Sequence, residues 1–393
     1  MTTTAVQTDL PSDLPLDLIE SFIGFDTVSR HSNMQLIDFV RDYLGKLGVS
    51  SKLVPNEDGS KANLYATIGP NEPGGVVLSG HTDVVPVDGQ SWSTNPFKLV
   101  DGGDRYFGRG TCDMKTFCAL AMGILPEFLE RAPKKPIHLA FSYDEELGCI
   151  GAPSMIEKMV DDVPEPMAVI VGEPTDMKVV TGHKSIMGVT THVTGKSVHS
   201  CQVDRGVSAV MTAARLITYL EDMMLENARR ADPQSPFDPP YTTIHCGVVE
   251  GGTARNIVAK ECTLVTDIRT IAGEHPMDFY KRYETHIREE VEPRMKAIAP
   301  EAQIVVTPAH VVPGLEPEAD GGAERIARQI TGDNGVHAVS YATEAGQFQT
   351  AGFSVAICGP GSIDQAHQPD EFITKDQLAQ GWQFMKKLTE TLS

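Results

Sequence analysis

The segment Gly75-Val-Val-Leu-Ser-Gly-His-Thr-Asp83 combines a short apolar run with a histidine and an aspartate directly after it. The run is too short for a helix and is apolar without alternation, which predicts a strand buried on both faces. Two later apolar runs end in the same way: residues 137–142 lead to Asp144-Glu-Glu146, and residues 167–171 lead to Glu173. Because the loops beyond the carboxyl ends of parallel strands converge, we expect these polar side chains to share one crevice.

Helical patterns alternate with these strands along the chain. The sequence predicts helices at residues 16–29, 34–47, 114–131, 151–159 and 323–330 and from 375, and further strands at 64–68 and 354–358. Strands that alternate with helices, and that lack a polar face, are typical of a sheet covered on both sides. We therefore predict an α/β fold with a mostly parallel sheet and helices on both faces.

Between residues 183 and 308 the order of the elements changes. The pattern there is βαββαβ, with strands at 188–194, 242–249, 257–269 and 303–307 and helices at 205–227 and 276–298. This order is typical of a compact ferredoxin-like unit. The α/β pattern resumes after this unit. We predict a discontinuous first domain of residues 1–182 and 309–393, into which a second domain, residues 183–308, is inserted.

The composition restricts the class of protein. The chain has 393 residues, 33 basic and 53 acidic, and a net charge of −20, which disfavours nucleic acid as a partner. No apolar run approaches the ~18 residues of a membrane span, so no membrane partner is expected. The seven cysteines form no Cys-x-x-Cys pair, and the first ten residues lack the features of a secretory signal. A cytoplasmic protein with reduced thiols is the expectation.

Two further residues extend the set of candidate metal ligands. Asp113 lies in Gly108-Arg-Gly-Thr-Cys-Asp-Met-Lys115, and His367 lies in Asp364-Gln-Ala-His-Gln-Pro369. Two imidazoles and several carboxylates suit two zinc-class ions that share one carboxylate. Taken singly, each motif has a simpler interpretation: a surface ion pair, a solvated charge cluster or a turn. The prediction of a metal centre therefore depends on their joint occurrence at the strand ends of one sheet.

Some residues beside the candidate ligands have the chemistry for supporting roles. Asp83 follows His81 by two residues and could hold its second imidazole nitrogen, which would fix the tautomer of the ring. Glu145 adjoins Glu146 and is not needed as a ligand, so we expect it to accept a proton from water at the metal ions. Cys112 could be a soft ligand or a nucleophile, but the supply of nitrogen and oxygen ligands favours a buried thiol.

Together these motifs resemble a known family of enzymes. His81-Thr-Asp83, the segment around Asp113, Asp144-Glu-Glu146, Gly172-Glu-Pro-Thr175 and His367 resemble, in this order, the motifs of the aminoacylase/carboxypeptidase family of dinuclear zinc amidohydrolases. The resemblance extends from residue 15 to the C-terminus. It implies an amidohydrolase with two divalent metal ions per subunit. Zinc is the expected metal, although cobalt and manganese accept similar ligands.

The resemblance also implies a role for each ligand. His81 and Glu173 would hold one zinc ion, Glu146 and His367 the other, and Asp113 would bridge the two. Glu145 would be the general base, and a cis peptide bond would follow Asp113. Cys112 and Thr116 depart from the residues usual in the family at these positions, but neither departure removes a ligand.

The inserted domain carries further candidates. Gly195-Lys-Ser-Val-His199-Ser200 resembles a segment whose histidine stabilises the oxyanion, often in the site of the partner subunit, so a dimerisation or lid domain and a homodimer are expected. Segments 251–256 and 267–269 resemble those that hold the α-carboxylate of the substrate. A guanidinium suits that bidentate task. Arg269 is the preferred clamp and Asn256 a helper, while Arg255 is either a further contact or a structural residue.

The late segments point to a branch of the family. Residues 359–371 and Thr343-Glu344-Ala345 resemble the branch that removes the acetyl group from N2-acetyl-L-ornithine in arginine biosynthesis, with Glu344 as a candidate partner for the ornithine ammonium. The expected reaction is metal-dependent hydrolysis of this acetyl amide by water activated at Glu145. Alternatives on the same scaffold are a succinyl-diaminopimelate desuccinylase, another N-acyl-amino-acid hydrolase or a dipeptidase. A non-catalytic metal-binding protein or an assembly protein is the alternative outside enzymes.

Overall fold

A computed structural model describes residues 10–393 of the chain. Most of the segment on which the secretory-signal prediction depends, residues 1–9, lies outside the described residues. Contacts divide the chain into two compact units. The first unit ends at Thr181 and resumes at Pro317–His337 and Thr343–Ser393, and the second unit comprises Gly182–Glu316 and Ala338–Ala342. The domain boundaries at 182 and 308 stay predictions.

Short strands and helices alternate along most of the chain. In chain order the strands are β1 (Ser51–Pro55), β2 (Ala62–Ile68), β3 (Val76–His81), β4 (Val100–Asp101), β5 (Arg105–Phe107), β6 (Ile137–Ser142), β7 (Ala168–Pro174), β8 (Val180–His183), β9 (Ser185–Thr194), β10 (Thr243–Gly251), β11 (Glu261–Thr270), β12 (Gln303–Val312), β13 (His337–Val339), β14 (Val355–Gly359) and β15 (Phe372–Thr374). The α-helices are α1 (Leu16–Gly24), α2 (Met34–Lys46), α3 (Lys115–Gly123), α4 (Leu125–Glu130), α5 (Ala152–Asp162), α6 (Ala209–Arg229), α7 (Pro276–His286), α8 (Glu292–Lys296), α9 (Gly322–Thr331), α10 (Ala345–Thr350) and α11 (Lys375–Leu392).

The main sheet has eight strands in the order β1-β2-β6-β3-β7-β14-β8-β13. Its centre is parallel, because β3 pairs in parallel with β6 and β7, and β7 pairs in parallel with β14. Antiparallel pairs flank this centre on both sides, β1 with β2 and β2 with β6 on one side and β14 with β8 on the other. A small sheet has the order β15-β5-β4, and β15 follows the late loop that carries His367.

The central strands are buried along their whole length. Every residue of β3, β6 and β7 is buried, as expected for strands with both faces covered. The core that packs around them draws its apolar side chains from α1, α2, α3, α9 and α11 as well as from the strands. The predicted α/β class with a mostly parallel central sheet is thereby confirmed.

The second unit contains a four-stranded antiparallel sheet in the order β10-β11-β9-β12. Residues of β9 alternate between buried and less buried, because one face of the sheet packs on α6 and α7. The predicted order βαββαβ is confirmed. Helix α6 begins at Ala209 rather than near 205, since a 3₁₀ turn occupies Ser200–Arg205 and the Ser208 hydroxyl accepts the Met211 N–H as an N-cap.

Two of the helices predicted from the sequence are interrupted in the structure. The single helix predicted at 114–131 is two helices, α3 and α4, and Pro126 stands in the first turn of the second one. A π-helical turn, Ile287–Val291, likewise separates α7 from α8. None of the helices in the described part of the chain is long and apolar enough to cross a lipid bilayer.

Candidate metal centre

His81 is the last residue of β3 and is 1% exposed. Its Nδ1 lies 2.9 Å from the backbone oxygen of Asp83, and its Nε2 lies 2.9 Å from Asp113 Oδ1 and 3.8 Å from Glu173 Oε1. Because the Nδ1–H donates to a carbonyl, Nε2 is the nitrogen that faces the carboxylates and that would bind a metal ion. Burial alone lowers the pKa of His81, but the negative charges of Asp113 and Glu173 raise it well above its ordinary value.

The carboxylate of Asp83 does not hold the imidazole of His81 as predicted. Its Oδ1 is 3.6 Å from His81 Nδ1, so the backbone carbonyl of Asp83, rather than its side chain, holds the imidazole. The carboxylate instead accepts the backbone N–H groups of Glu145 and Glu146, at 3.1 and 3.3 Å, and the hydroxyl of Ser29 at 2.7 Å. Those three donors satisfy the buried charge better than one imidazole could, and they fix the loop after β6.

His367 approaches the centre from the late loop. Its Nε2 lies 2.9 Å from Glu146 Oε2 and 3.3 Å from Asp113 Oδ2. Hydrogen bonds to these two carboxylates raise the pKa of His367 to about 10. The residue has a left-handed backbone, with φ of 63°, and its side chain is 52% exposed. Asp113 therefore turns one oxygen to His81 and the other to His367, an arrangement that fits the bridging role predicted for it.

The predicted ligands come from distant parts of the first unit. We name them the ligand cluster, which consists of His81, Asp113, Glu146, Glu173 and His367. Candidate donor atoms of His81, Asp113 and Glu146 all lie within 4.8 Å of one another, as do those of His81, Glu145 and Glu173. The peptide bond after Asp113 is cis, as predicted.

The cluster concentrates negative charge away from water. Burial raises the pKa of Glu145 to about 8. Burial and the charge of Asp113 together raise the pKa of Glu146 to about 7 and raise the pKa of Glu173 well above its ordinary range. Against burial, hydrogen bonds from His367 and His81 lower the pKa of Asp113. Two imidazoles with carboxylate oxygens are a donor set for zinc-class ions, whose charge would offset this repulsion. The residues present thus fit a dinuclear metal centre.

Comparison with known proteins identifies the family. A sequence model of the peptidase family M20/M25/M40 matches residues 77–391. The chain belongs to this family. The enzyme family predicted from the five motifs is thereby confirmed, and with it the class of metal-dependent hydrolases.

Curated relatives of this M20 protein match along most of its length. The acetylornithine deacetylase of Pasteurella multocida is 32% identical over 358 residues, which cover 91% of each chain. Those of Myxococcus xanthus and Aliivibrio fischeri are 32% and 33% identical, over 92% and 90% of each chain.

Solved structures of peptidases share the fold of this chain. A tripeptidase from Staphylococcus aureus superimposes with a TM-score of 0.74 at 18% identity, covering 97% of this chain and 99% of the other. A metallo-carboxypeptidase from Sulfolobus solfataricus gives a TM-score of 0.74 at 17% identity with the same coverage. A dinuclear metal-binding peptidase from Bacillus subtilis gives 0.66 at 14% identity, covering 97% and 99%. At these identities the likeness concerns the fold.

Glu145 lies beside the ligand cluster of this M20 protein. The thiol of Cys149 donates to its Oε1 at 3.1 Å, and its backbone N–H is held by Asp83. Cys112, by contrast, is buried and donates its thiol to the Ser362 carbonyl at 3.1 Å. Burial raises the pKa of the Cys112 thiol well above its ordinary value, in agreement with a structural thiol rather than a ligand.

The predicted role of Glu344 does not agree with the structure. The residue is 1% exposed, its Oε1 accepts the Ser79 hydroxyl at 2.5 Å and its Oε2 accepts the Ser142 hydroxyl at 2.6 Å. Both carboxylate oxygens are thus engaged between the ends of β3 and β6. Glu344 is a buried link between two strands and does not present its charge to a substrate ammonium.

The remaining predicted residues lie in the second unit. His199 Nδ1 accepts the backbone N–H of Cys201 at 3.2 Å and lies 3.1 Å from its sulfur. Arg269 donates from Nε to Asp267 at 2.7 Å. Arg255 and Asn256 are exposed in the segment after β10.

Sequence reasoning missed one buried network in the first unit. Glu371 Oε1 accepts the backbone N–H groups of Gly110, Cys112 and Asp113 at 2.8–3.0 Å, and Oε2 accepts Arg109 Nη1 at 2.6 Å. The sequence does carry a signal for this pair, because Arg109 lies four residues before one predicted ligand and Glu371 four residues after another.

Proposed function

We propose that the protein is an acetylornithine deacetylase, which hydrolyses N2-acetyl-L-ornithine to L-ornithine and acetate. The observation that carries this proposal is the placement of Asp113, with its two oxygens 2.9 Å from His81 and 3.3 Å from His367. Relatives that bear this name match at 32–33% identity over at least 90% of the chain, which supports the substrate.

The ligand cluster would hold two zinc ions. His81 and Glu173 would bind one ion, Glu146 and His367 the other, and Asp113 both. The contacts of each histidine with its carboxylates support this division. When bound, such ions supply Lewis acidity that polarises a carbonyl and makes hydroxide available near neutral pH. Cobalt or manganese would accept the same donors.

Glu145 would move the proton. It accepts a proton from the attacking water and returns it to the nitrogen of the leaving ornithine, a role that needs a carboxylate next to the reacting atoms. Two contacts support this assignment, because the Asp83 carboxylate fixes the backbone of Glu145 and the Cys149 thiol orients its Oε1. Asp83 is thus a positioning residue in the proposed mechanism.

His199 would stabilise the oxyanion. Its Nδ1 accepts the N–H of Cys201, so the neutral ring carries its hydrogen on Nε2. That nitrogen is then a donor for the negative charge that develops on the acetyl oxygen.

Arg269 would hold the α-carboxylate of the substrate, because its guanidinium is oriented by Asp267 and a fork of donors suits that group. Asn256 and Arg255, both exposed, are proposed as further contacts.

We propose a cytoplasmic homodimer built through the second unit. β10 is an edge strand of its sheet, with Val248 and Val249 exposed, and α6 exposes Val210 and Met211. Unpaired edges and exposed apolar side chains are features that association covers. The described cysteines are all free, which fits a reducing compartment. Light scattering of the purified protein tests the dimer.

The experiment that tests the function is acetate release from N2-acetyl-L-ornithine by the purified protein. Activity should vanish after chelation and return with zinc, and it should exceed the activity on succinyl-diaminopimelate and on dipeptides. A preference for either alternative would reassign the substrate. Zinc binding without hydrolysis of any of these amides would instead favour a non-catalytic protein.

A further inference from the structure

Arg109 and Glu371 form an ion pair that is fully buried, with both side chains 0% exposed and Nη1 2.6 Å from Oε2. The other carboxylate oxygen accepts three backbone N–H groups of the loop that ends at Asp113. Charge-assisted bonds of this kind hold both partners in one geometry. The position of the Asp113 backbone therefore depends on Glu371.

Gln90 extends this network from Arg109 to His367. Its Oε1 accepts Arg109 Nη2 at 2.7 Å and Trp92 Nε1 at 3.0 Å, while its Nε2 donates to the backbone oxygen of His367 at 2.9 Å. Reversing the amide would turn its N–H groups towards two donors and its oxygen towards a carbonyl. The orientation of Gln90 is thus determined by the chemistry of its neighbours.

The contacts form a continuous chain that joins two of the proposed ligands. It runs from Asp113 to Glu371, on to Arg109 and Gln90, and then to His367. We infer that Gln90 is a positioning residue for His367 and therefore for the metal ion that His367 would share with Glu146. This inference rests on the proposed dinuclear function.

The two proposed metal sites differ in how their histidines are held. His81 is part of the central strand β3 and is 1% exposed, so the core fixes its position. The side chain of His367 is 52% exposed and stands on a loop, with a left-handed φ of 63°. A ligand on a loop depends on hydrogen bonds to its surroundings, and Gln90 supplies one to the backbone of this residue. Loss of Gln90 should therefore weaken the binding of one metal ion and leave the binding of the other unchanged.

The test uses the full-length protein and counts zinc ions during titration with a competing chelator. Two variants are informative: Q90A removes the whole network contact, and Q90E keeps the acceptor for Arg109 and Trp92 but cannot donate to His367. Loss of a partner that orients a metal ligand commonly costs about 10–100-fold in metal affinity. Both variants should therefore lower the affinity for one of the two zinc ions by that factor. Q380A is the matched control, since Gln380 is exposed on α11 and its side chain donates to Asp376, one turn earlier on the same helix.

A double variant identifies which ion is affected. If Gln90 acts through His367, the Q90A substitution should weaken zinc binding in the wild-type background and have no further effect in the H367A background. Equal weakening of both ions, or full effect of Q90A in the H367A background, would overturn the inference while leaving the proposed function intact. Wild-type affinity for both ions in Q90A and Q90E would also overturn it. A wild-type protein that binds no zinc would overturn the proposed function and this inference together.

Discussion

The carboxylate of Asp83 accepts the backbone N–H of Glu145 at 3.1 Å, while the backbone carbonyl of Asp83 accepts the Nδ1–H of His81. One residue therefore orients both a proposed ligand and the proposed base. The two tasks use different atoms of Asp83, so a substitution can separate them.

Replacing Asp83 by asparagine should affect the base more than the ligand. In D83N the carbonyl that holds His81 remains, but the side chain can accept only through one oxygen and turns an N–H₂ group towards a peptide N–H. We expect kcat to fall about 10–100-fold with two zinc ions retained. Steady-state kinetics and metal analysis measure this, with D88N, at an exposed ion pair, as the control. Loss of zinc with unchanged kcat per loaded chain would contradict the assignment.

Replacing Glu145 by glutamine should remove proton transfer alone. The amide has the shape of the carboxylate but cannot accept a proton at neutral pH, and general acid–base catalysis commonly contributes about 10²–10⁴-fold. In steady-state kinetics E145Q should lose activity by that factor, and metal analysis should find both zinc ions. Wild-type turnover in E145Q would assign the base to another group.

Replacing His199 by alanine should remove one oxyanion donor. Loss of such a donor commonly lowers kcat by about 10²–10³-fold, and zinc content should not change, because His199 is not a proposed ligand. Kinetic measurement on acetylornithine with metal analysis distinguishes this result from misfolding. An unchanged kcat would exclude His199 from the mechanism.

The Arg109–Glu371 pair should be costly to break. In E371Q a buried guanidinium loses its charged partner, and breaking a buried pair in this way destabilises proteins by about 3–5 kcal/mol. Urea unfolding measures the change. E127Q, at the more exposed Arg131–Glu127 pair, should cost less than about 1 kcal/mol. An equal loss of unfolding free energy in E371Q and E127Q would contradict the conclusion that burial makes the Arg109–Glu371 pair more costly to break.

His138 should make stability fall with acid. The residue is 0% exposed, its Nδ1 bonds to the Thr67 hydroxyl at 2.9 Å, and burial lowers its pKa from 6.5 to about 4. The unfolded chain therefore takes up a proton at His138 below pH 6.5, whereas the folded chain takes it up only near pH 4. Stability is complete above the higher value and is lost as the pH falls between the two.

The effect of His138 is measured by comparing the wild type with H138Q. Between neutral pH and about pH 5.5, the wild type should lose about 1.4 kcal/mol more unfolding free energy than the variant. The comparison cancels the titration of groups shared by both proteins. Parallel pH dependence of the two would show that folding does not lower the pKa of His138.

The parts of the molecule that the sequence predicted are those governed by local patterns. The apolar run that ends at His81 predicted β3, and the alternation of elements predicted the parallel centre of the sheet. The break between α3 and α4 could also have been predicted, since Pro126 lacks the N–H that a continuous helix needs. The motif around Asp113 led to the family without any knowledge of contacts.

The parts that could not be predicted depend on contacts between distant residues. Glu344 bonds to Ser79, which is 265 positions away, and Arg109 bonds to Glu371, which is 262 positions away. No spacing rule identifies such partners. For Asp83 the spacing predicted proximity to His81 correctly, but the choice between carbonyl and carboxylate depends on how the chain turns after β3.

Anomalous diffraction at the zinc edge, from crystals grown with zinc, tests most directly whether distant segments assemble one dinuclear centre. We expect two peaks on either side of Asp113, one against His81 and Glu173 and the other against Glu146 and His367. A single peak that leaves His367 without metal, or zinc bound elsewhere on the chain, would contradict the proposal.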